Sequence, residues 1–350
     1  MVAKPRLILG FSTPIMAGME KTGEKFAGLR WPAAALGSAL LLGAQAHAAE
    51  LKPWKHGVIE PKGDAGFMLM VGSRGFAERH GLKLEIVPLK NGATAHKALL
   101  SGELDSIESS PGATILAGAH GADIKIIGCD WPGVPHGLMV RSTITKVEDL
   151  KGKTIAVAAP GSLPNLLINA ILEKYKIPPS DVRFANLGGD LDRYKAVLAG
   201  VADAGIVAAE FISVAPKELT MLVNGQDVLP NYVRLCLTMT GKTIAGRREE
   251  AVNFVAAEMD ALRFTVSHRD ETIALTRETI HAKPDDVRAA YAYDDTVKRH
   301  AVDPEVTLPL DKLNWMQGEL VKAGNLRAPV DLAKITDVSI RDEAAKRTSK

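Results

Sequence analysis

The segment from Val147 to Asn165 constrains the fold more than any other part of the chain, because it contains a turn, a strand, a loop and a helix start in fixed order. Lys151-Gly152-Lys153 has turn composition, and the apolar run 154–158 is typical of a parallel strand covered on both faces. A Pro-Gly pair ends the strand, and Ser162 is a suitable N-cap for a helix predicted over 163–176. Such a helix directs free N–H groups towards the end of the strand, where an anion or a polar ligand atom can bind.

The same segment resembles the periplasmic solute-binding proteins of ABC importers for nitrate, taurine and alkanesulfonates, the SsuA/TauA and NMT1/THI5-like family. Those proteins carry an Asp-Leu-Lys-Gly-Lys-x-Ile-Ala-Val turn and strand, which corresponds to Asp149–Val157 here, and then a small-residue loop with a serine, which corresponds to Ala159–Ser162. The resemblance implies an α/β, type II periplasmic binding protein fold with two Rossmann-like lobes joined by a two-strand hinge. The alternative is an ordinary strand–loop–helix unit of another α/β protein.

An internal repeat supports two similar units. Residues Lys97–Asp105 match Lys195–Asp203, and in each copy an amphipathic helix ends on a glycine suited to a left-handed C-cap. An aspartate then enters a short apolar strand. The binding-protein family carries this helix–Gly–Asp–strand element in each lobe, so the repeat predicts one copy per lobe.

The predicted order of strands and helices gives the domain boundaries. We predict crossings between lobes near Gly137–Arg141 and Tyr232–Thr238, so that lobe 1 comprises 49–137 plus 239–350 and lobe 2 comprises 138–238. A ligand is expected in the cleft between the lobes, which closes around it by hinge motion. We expect the polar C-terminal tail to be frayed. Other predicted elements include strands over 82–89, 106–108 and 124–129 and helices over 67–80, 111–119 and 283–291.

The first 48 residues have the composition of a signal peptide. Five basic and two acidic residues precede an apolar run from Trp31 to Ala44, and Ala46-His47-Ala48 forms an A-x-A cleavage site. A membrane anchor is the alternative, but the run is short for a bilayer span. We predict cleavage after Ala48 and a periplasmic protein. The leader accounts for +3 of the total charge of +2, which leaves about −1 and indicates no nucleic-acid partner.

The sequence contains no recognised catalytic or metal-binding pattern. The nine histidines lack metal-ligand spacing, and nucleophile-elbow, Walker and dinucleotide-binding motifs are absent. Cys129 and Cys236 do not make a disulfide framework; two buried thiols are the first interpretation, and oxidation to a disulfide in an exported protein is the open alternative. No catalytic residue, metal or cofactor is therefore predicted. The expected partners are a small organic solute and an ABC permease with its ATPase, for a monomeric binding protein.

Two other functions remain open. One is an enzyme on the same fold, resembling the pyrimidine-forming or chorismate-dehydrating relatives, and the other is a ligand-sensing partner of a membrane receptor. Such enzymes usually lack a signal peptide, and the cysteine-rich motif of the thiamine-pyrimidine synthases is missing from this chain.

The resemblance also implies which loops contact the ligand: the first strand–helix loop, the loops after both repeat strands, and the helix start after the Gly-Lys strand. Lys62 can pair with an anionic ligand or remain solvated. Glu210 suits a ligand with a hydrogen-bond donor, or it pairs with a basic side chain. The predicted ligand is a small organic anion, a sulfonate or carboxylate. The predicted ligand-binding residues are Lys62, Asp64, Phe67, Ser109, Ser110, Trp131, His136, Gly161, Ser162, Asn165, Gly189 and Glu210.

Overall fold

A computed structural model of the protein describes residues 50–59, 62–90, 92–158 and 162–348. These residues belong to one compact unit. The predicted signal peptide lies outside the described residues. Within the ranges above, no helix is long and apolar enough to cross a membrane.

The described strands form two five-stranded sheets. The strands are, in chain order, β1 (Lys52–Ile59), β2 (Leu82–Leu89), β3 (Ser106–Ser109), β4 (Lys125–Trp131), β5 (His136–Arg141), β6 (Thr154–Val157), β7 (Arg183–Asn186), β8 (Ala204–Ala208), β9 (Leu219–Asn224) and β10 (Leu235–Met239). The first sheet has the order β2-β1-β3-β10-β4, and the second has the order β7-β6-β8-β5-β9.

Both sheets are mixed in the same way. In the first, β1 is parallel to β2 and β3, whereas β10 is antiparallel to β3 and β4. In the second, β6 is parallel to β7 and β8, whereas β5 is antiparallel to β8 and β9. In each sheet, the antiparallel strand therefore follows a connection from the other sheet, and its first residues lie at the carboxyl edge of the parallel strands.

α-Helices cover the sheets and form most of the C-terminal third. They are α1 (Ala65–Leu69), α2 (Phe76–Arg79), α3 (Gly92–Ser101), α4 (Pro111–Ala119), α5 (Leu163–Lys174), α6 (Asp190–Leu198), α7 (Gly241–Gly246), α8 (Arg248–Ser267), α9 (Arg269–Thr279), α10 (Arg288–Lys298), α11 (Leu310–Lys322) and α12 (Val338–Thr348).

Two large apolar cores pack against the sheets, and the second contains residues of both sheets, among them Ile126 of β4 and Ile155 of β6. Trp54 of β1 stacks on Phe254 of α8, with ring centroids 5.5 Å apart, in the first core. In the second core, Ile155 packs with Leu167 and Ile171, which are four residues apart on α5 and fully buried. This spacing places both side chains on one helix face. Truncating Leu167 to alanine would cost about 2–5 kcal/mol of stability.

The repeat has a structural reason. Gly102 and Gly200, which end α3 and α6 respectively, adopt φ values of 82° and 72°, and this left-handed region favours glycine. The aspartates that follow occupy equivalent positions. Asp105 Oδ2 accepts a hydrogen bond from the Lys55 N–H in β1 at 2.8 Å, and Asp203 Oδ2 accepts one from the Thr154 N–H in β6 at 2.8 Å. Each aspartate thus fixes the central parallel strand of its sheet.

The two sheets are connected twice, and both connections lie beside the predicted crossings, whose role as lobe boundaries stays a prediction. Residues 136–141 already form β5 of the second sheet, so the chain crosses at 132–135. Residues 235–239 form β10 of the first sheet, so the return crossing spans 225–234. The predicted limits of lobe 2 therefore fall inside or beside strands, because apolar runs do not reveal to which sheet a strand belongs.

The alternative left open for the cysteines is the one observed, because a disulfide bond joins Cys129 and Cys236 on adjacent strands. Three expectations are wrong. The C-terminal tail is ordered as α12 up to Thr348, with Ile340 and Ala344 buried. The predicted helix 67–80 is divided, because the chain turns at Ser73–Gly75, where Gly75 has φ 74°. The predicted helix 283–291 begins only at Arg288.

Candidate functional site

A small cavity of about 20 Å³ lies at the carboxyl edges of both sheets. From the first sheet come Lys62 and Asp64, which follow β1, and Arg234, which precedes β10. From the second come His136, the first residue of β5, and Glu210, two residues after β8. Helix α10 contributes a further wall. The complete lining is Lys62, Asp64, Pro135, His136, Ala208, Ala209, Glu210, Arg234, Tyr291, Ala292, Asp295 and Thr296.

Asp190, at the start of α6, binds three basic groups around the cavity. Its carboxylate accepts hydrogen bonds from Lys62 Nζ and Arg193 Nη2, and it lies 3.2 Å from His136 Nε2. Burial alone would raise the pKa of Asp190, but His136, Lys62 and Arg193 hold it well below the usual range. Asp190 is therefore ionised, and Lys62 connects the loop after β1 to the second sheet through it.

A second ion pair joins Arg234 to Asp64. Arg234 Nη1 donates to Asp64 Oδ2 at 2.5 Å, and the guanidinium lies over the Trp131 ring at 4.4 Å from its centroid. The two side chains are only 12% and 7% exposed. Removing either partner would leave a buried charge without its counter-ion, which is the costly case for a buried pair.

Glu210 closes the cavity from the second sheet. The Gly63 N–H donates to Glu210 Oε1 at 3.3 Å, and a Cβ on Gly63 would lie 2.3 Å from Glu210 Oε2. Burial, followed by the negative charge of Asp64, raises the pKa of Glu210 to about 7. Glu210 therefore exchanges its proton near neutral pH, at the point where Gly63, after β1, contacts the turn after β8.

Three further carboxyl groups are buried near Arg234. Burial and the charge of Asp130 raise the pKa of Glu108 well above its usual range, and burial followed by Asp130 does the same for Glu258. Burial also raises the pKa of Asp130, to about 6. Burial lowers the pKa of Arg234, but the charge of Asp64 and its hydrogen bond raise that pKa above the usual value, which makes Asp64 the main partner of Arg234. In the described ranges, no group of His, Cys, Asp or Glu side chains has an arrangement that could hold a metal ion.

The structure brings four of the predicted ligand-binding residues into the cavity lining: Lys62, Asp64, His136 and Glu210. Gly189 lies beside it, as the N-cap of α6 next to Asp190.

Other predicted residues lie outside the lining. Phe67 is buried and stacks on Tyr293 at 5.4 Å, and Trp131 is buried under Arg234. Ser109 is buried in β3, and Ser110 is the N-cap of α4, with its hydroxyl 3.5 Å from the Tyr232 hydroxyl.

The predicted site at the start of α5 is separate from the cavity lining. Ser162 occupies the N-cap position of α5 in an extended conformation, and Asn165 lies in its first turn. Gly161 lies outside the described residues. The ligand-binding role of the whole predicted set stays a prediction.

The sequence reasoning missed Arg234, Asp190 and the α10 wall. Arg234 carried a usable signal, since it is the only charge in the apolar run Tyr232-Val233-Arg234-Leu235-Cys236. A lone buried charge needs a partner and so indicates a polar site. The α10 residues carried no such signal, because Asp295 belongs to an acidic pair with Asp294, and acidic pairs in helices are typical of solvated faces.

Family and fold comparisons agree. The model of the family described as NMT1/THI5 like matches residues 64–272, more than half of the chain. The chain belongs to the NMT1/THI5-like family. No curated protein sequence matches it.

Solved structures show the same fold as this NMT1/THI5-like protein. The periplasmic aliphatic sulphonate binding protein SsuA from Escherichia coli aligns with a TM-score of 0.68 at 20% identity, covering 82% of this chain and 92% of SsuA. The periplasmic nitrate-binding protein NrtA from Synechocystis PCC 6803 aligns with a TM-score of 0.67 at 15% identity, covering 86% and 90%.

A zinc-bound ligand binding component of an ABC-type import system from Staphylococcus aureus aligns with a TM-score of 0.68 at 16% identity, covering 84% of this chain and 99% of that one. These identities establish the fold alone. The predicted α/β periplasmic binding protein fold is thereby confirmed, with two mixed five-stranded sheets. The structural neighbours of this NMT1/THI5-like protein are mainly substrate-binding proteins of import systems.

Proposed function

We propose that the protein is an extracytoplasmic solute-binding protein that delivers a small polar organic molecule to an ABC permease and its ATPase. The observation that carries this proposal is the cavity at the carboxyl edges of both sheets, closed by the Lys62–Asp190 ion pair and the Gly63–Glu210 hydrogen bond. Both contacts join residues after β1 to residues of the second sheet. A solute held there touches both sheets, as delivery by cleft closure and reopening requires.

The proposed motion follows from the two connections between the sheets. Residues 132–135 and 225–234 link them, and we propose these segments as the hinge between a lobe around the first sheet and a lobe around the second. The sequence-based limits, 49–137 plus 239–350 and 138–238, are shifted so that β5 and β10 remain whole. Ligand binding shifts the population towards the closed form by no more than its differential affinity for that form.

The charge arrangement weighs against the predicted sulfonate or carboxylate ligand. Lys62 and Arg234 line the cavity, but Asp190 and Asp64 already bind them. An anion would have to displace a carboxylate to reach either cation. SsuA and NrtA are named as binding proteins for an aliphatic sulphonate and for nitrate, so anions are included among the ligands to be tested.

One observation favours an enzyme instead. His136 Nε2 lies 3.2 Å from Asp190 Oδ1, and burial lowers the pKa of His136, so the ring is a neutral imidazole oriented by a carboxylate. That is the arrangement of a general base. An enzyme would convert a bound compound, whereas a binding protein returns it unchanged.

The test is a thermal-shift screen of the exported protein against organic anions, amides and heterocycles, followed by chromatography of each compound that raises the melting temperature. A specific ligand binds only the folded state and therefore raises that temperature. Recovery of unchanged ligand, together with ligand uptake that requires the permease, supports the proposal. Conversion of the ligand supports the enzyme.

Export is tested separately. We expect protein recovered from the periplasm to begin at Ala49, which the intact mass measures. Retention of residues 20–48 in that pool would contradict the signal peptide.

A further inference from the structure

Two residues of the cavity lining each carry a buried polar atom that has no hydrogen-bond partner among the described residues. These atoms are Asp64 Oδ1 and His136 Nδ1, and their residues are 5% and 6% exposed. Buried polar side-chain atoms nearly always have a partner in folded proteins. Both atoms belong to residues of the cavity lining, on opposite sheets. The cavity therefore presents unsatisfied hydrogen-bonding capacity to whatever enters it.

The unpaired ring nitrogen of His136, Nδ1, is a hydrogen-bond acceptor. Its Nε2 is placed to donate to the ionised Asp190 at 3.2 Å. Burial lowers the pKa of the ring, which leaves it neutral with a single N–H. In a neutral imidazole with hydrogen on Nε2, Nδ1 carries a lone pair. His136 Nδ1 thus accepts a hydrogen bond and donates none.

Asp64 and Glu210 present acceptors as well. Arg234 occupies Asp64 Oδ2 at 2.5 Å and leaves Oδ1. Glu210 Oε1 accepts only a long hydrogen bond, 3.3 Å, from the Gly63 N–H. The cavity of about 20 Å³ is smaller than an organic solute, so entry requires this contact between Gly63 and Glu210 to part. Parting releases Glu210 as a third acceptor.

The cations around the cavity are already paired within the protein. Lys62 and Arg193 contact Asp190, Arg234 contacts Asp64, and Arg288 of α10, which also acts on Glu210, contacts Asp286 at 2.6 Å. Asp295, which also lines the cavity, is paired with Arg299 at 2.6 Å. An uncharged solute preserves this pairing, whereas a fixed cation or anion disturbs it.

We infer, on the basis of the proposed binding function, that the cleft takes an uncharged solute with N–H donors, of the amide, urea or amino-heterocycle class. Its N–H groups bind Asp64 Oδ1, His136 Nδ1 and the Glu210 carboxylate. Specificity arises because an analogue without N–H groups leaves these acceptors unpaired.

The test compares matched compounds on the exported, full-length mature protein by calorimetry and thermal shift. Acetamide, urea and cytosine carry N–H donors, whereas N,N-dimethylacetamide and tetramethylurea lack them. Ethanesulfonate and benzoate represent anions, and ethylammonium represents cations. We expect the N–H compounds to bind at least about tenfold more tightly than their methylated analogues.

The pH dependence separates the classes further. A ligand that donates to the Glu210 carboxylate binds its ionised form, so affinity rises from pH 6 to pH 8. An anion favours protonated Glu210, so its affinity falls over the same range. Glu210→Gln should remove either trend, because the amide does not titrate, and the exposed control Glu218→Gln should keep it.

Preferential binding of ethanesulfonate, benzoate or ethylammonium would overturn the donor inference and leave the proposed binding function intact. Equal binding of acetamide and N,N-dimethylacetamide, or no binding of any donor compound, would also overturn it. Conversion of a bound donor compound would instead reject the binding-protein function while the ligand class stands.

Discussion

Replacing Arg234 with methionine tests whether the pair with Asp64 organises the cleft. The substitution keeps a long unbranched side chain but removes the charge opposite Asp64, at a site where the two side chains are 12% and 7% exposed. Breaking a buried pair in this way costs about 3–5 kcal/mol, because the remaining carboxylate is buried without a counter-ion. Loss of the guanidinium over Trp131 adds to that cost.

The measurement is urea-induced unfolding followed by tryptophan fluorescence, with the slope of the transition compared between variants. Arg269→Met is the matched control, since Arg269 makes the same kind of contact with Asp294 at a site where both side chains are about half exposed. An exposed pair contributes about 0–1 kcal/mol. We therefore expect Arg234→Met to lower the free energy of unfolding several times more than Arg269→Met.

A double variant separates the charge from the packing. Asp64→Asn combined with Arg234→Met removes the unpaired carboxylate, so its free energy of unfolding should exceed that of Arg234→Met by about 2 kcal/mol or more. Single effects that simply add would show that the two side chains act independently. That result, or equal costs for the Arg234 and Arg269 variants, would refute the reasoning.

Three further outcomes follow from the same contacts. Gly63→Ala should destabilise the closed cleft, because the new Cβ would lie 2.3 Å from Glu210 Oε2 and the carboxylate must turn away from the Gly63 N–H. Small-angle scattering should then show a larger radius of gyration. Wild-type stability should fall by about 3 kcal/mol as pH rises from about 4.5 to about 7, because burial raises the pKa of folded Glu210 to about 7. Glu210→Gln should lack this loss, which urea unfolding at each pH measures. Reduction of the Cys129–Cys236 disulfide should lower the melting temperature of the wild type but not of a double alanine variant, with a cost of about 2–4 kcal/mol.

Each outcome has a control. Gly246→Ala places its Cβ more than 4 Å from other atoms outside its helix, so the radius of gyration should match the wild type. Glu218→Gln changes an exposed carboxyl and should keep the wild-type dependence of stability on pH. Parallel pH profiles for the wild type and Glu210→Gln would show that Glu210 is hydrated in solution, in an open cleft.

The elements predicted best are those whose ends are fixed by a local glycine or proline. Strand 82–89 and helix 111–119 have the predicted limits: Gly81 has φ 74° before the strand, and Pro111 starts the helix at a position that needs no N–H. Helix α10 was misplaced because its start depends on a side-chain turn just before its N-cap, Val287. The Asp286 carboxylate accepts the Arg288 N–H at 2.9 Å and binds its guanidinium, which delays the helix past Pro284.

The site was predicted in part for a related reason. Lys62, Asp64 and Glu210 follow strands directly, and a loop after a parallel strand lies at the carboxyl edge whatever the remainder of the chain does. Arg234 reaches the same edge only because β10 runs antiparallel to β3, a pairing between residues more than 120 positions apart. No local pattern contains that information.

Asp294 and Asp295 show the limit most clearly. Both lie in α10, and an acidic pair in a polar helical segment by itself indicates a solvated face. Successive residues of a helix point about 100° apart, so two adjacent aspartates cannot share one environment. Asp294 turns outward to an exposed pair with Arg269, whereas Asp295 lines the cavity and binds Arg299. Which aspartate faces the cleft depends on how α10 packs against the turn after β8. That packing decides whether a carboxylate charge lies in the cleft or on the solvent-facing surface.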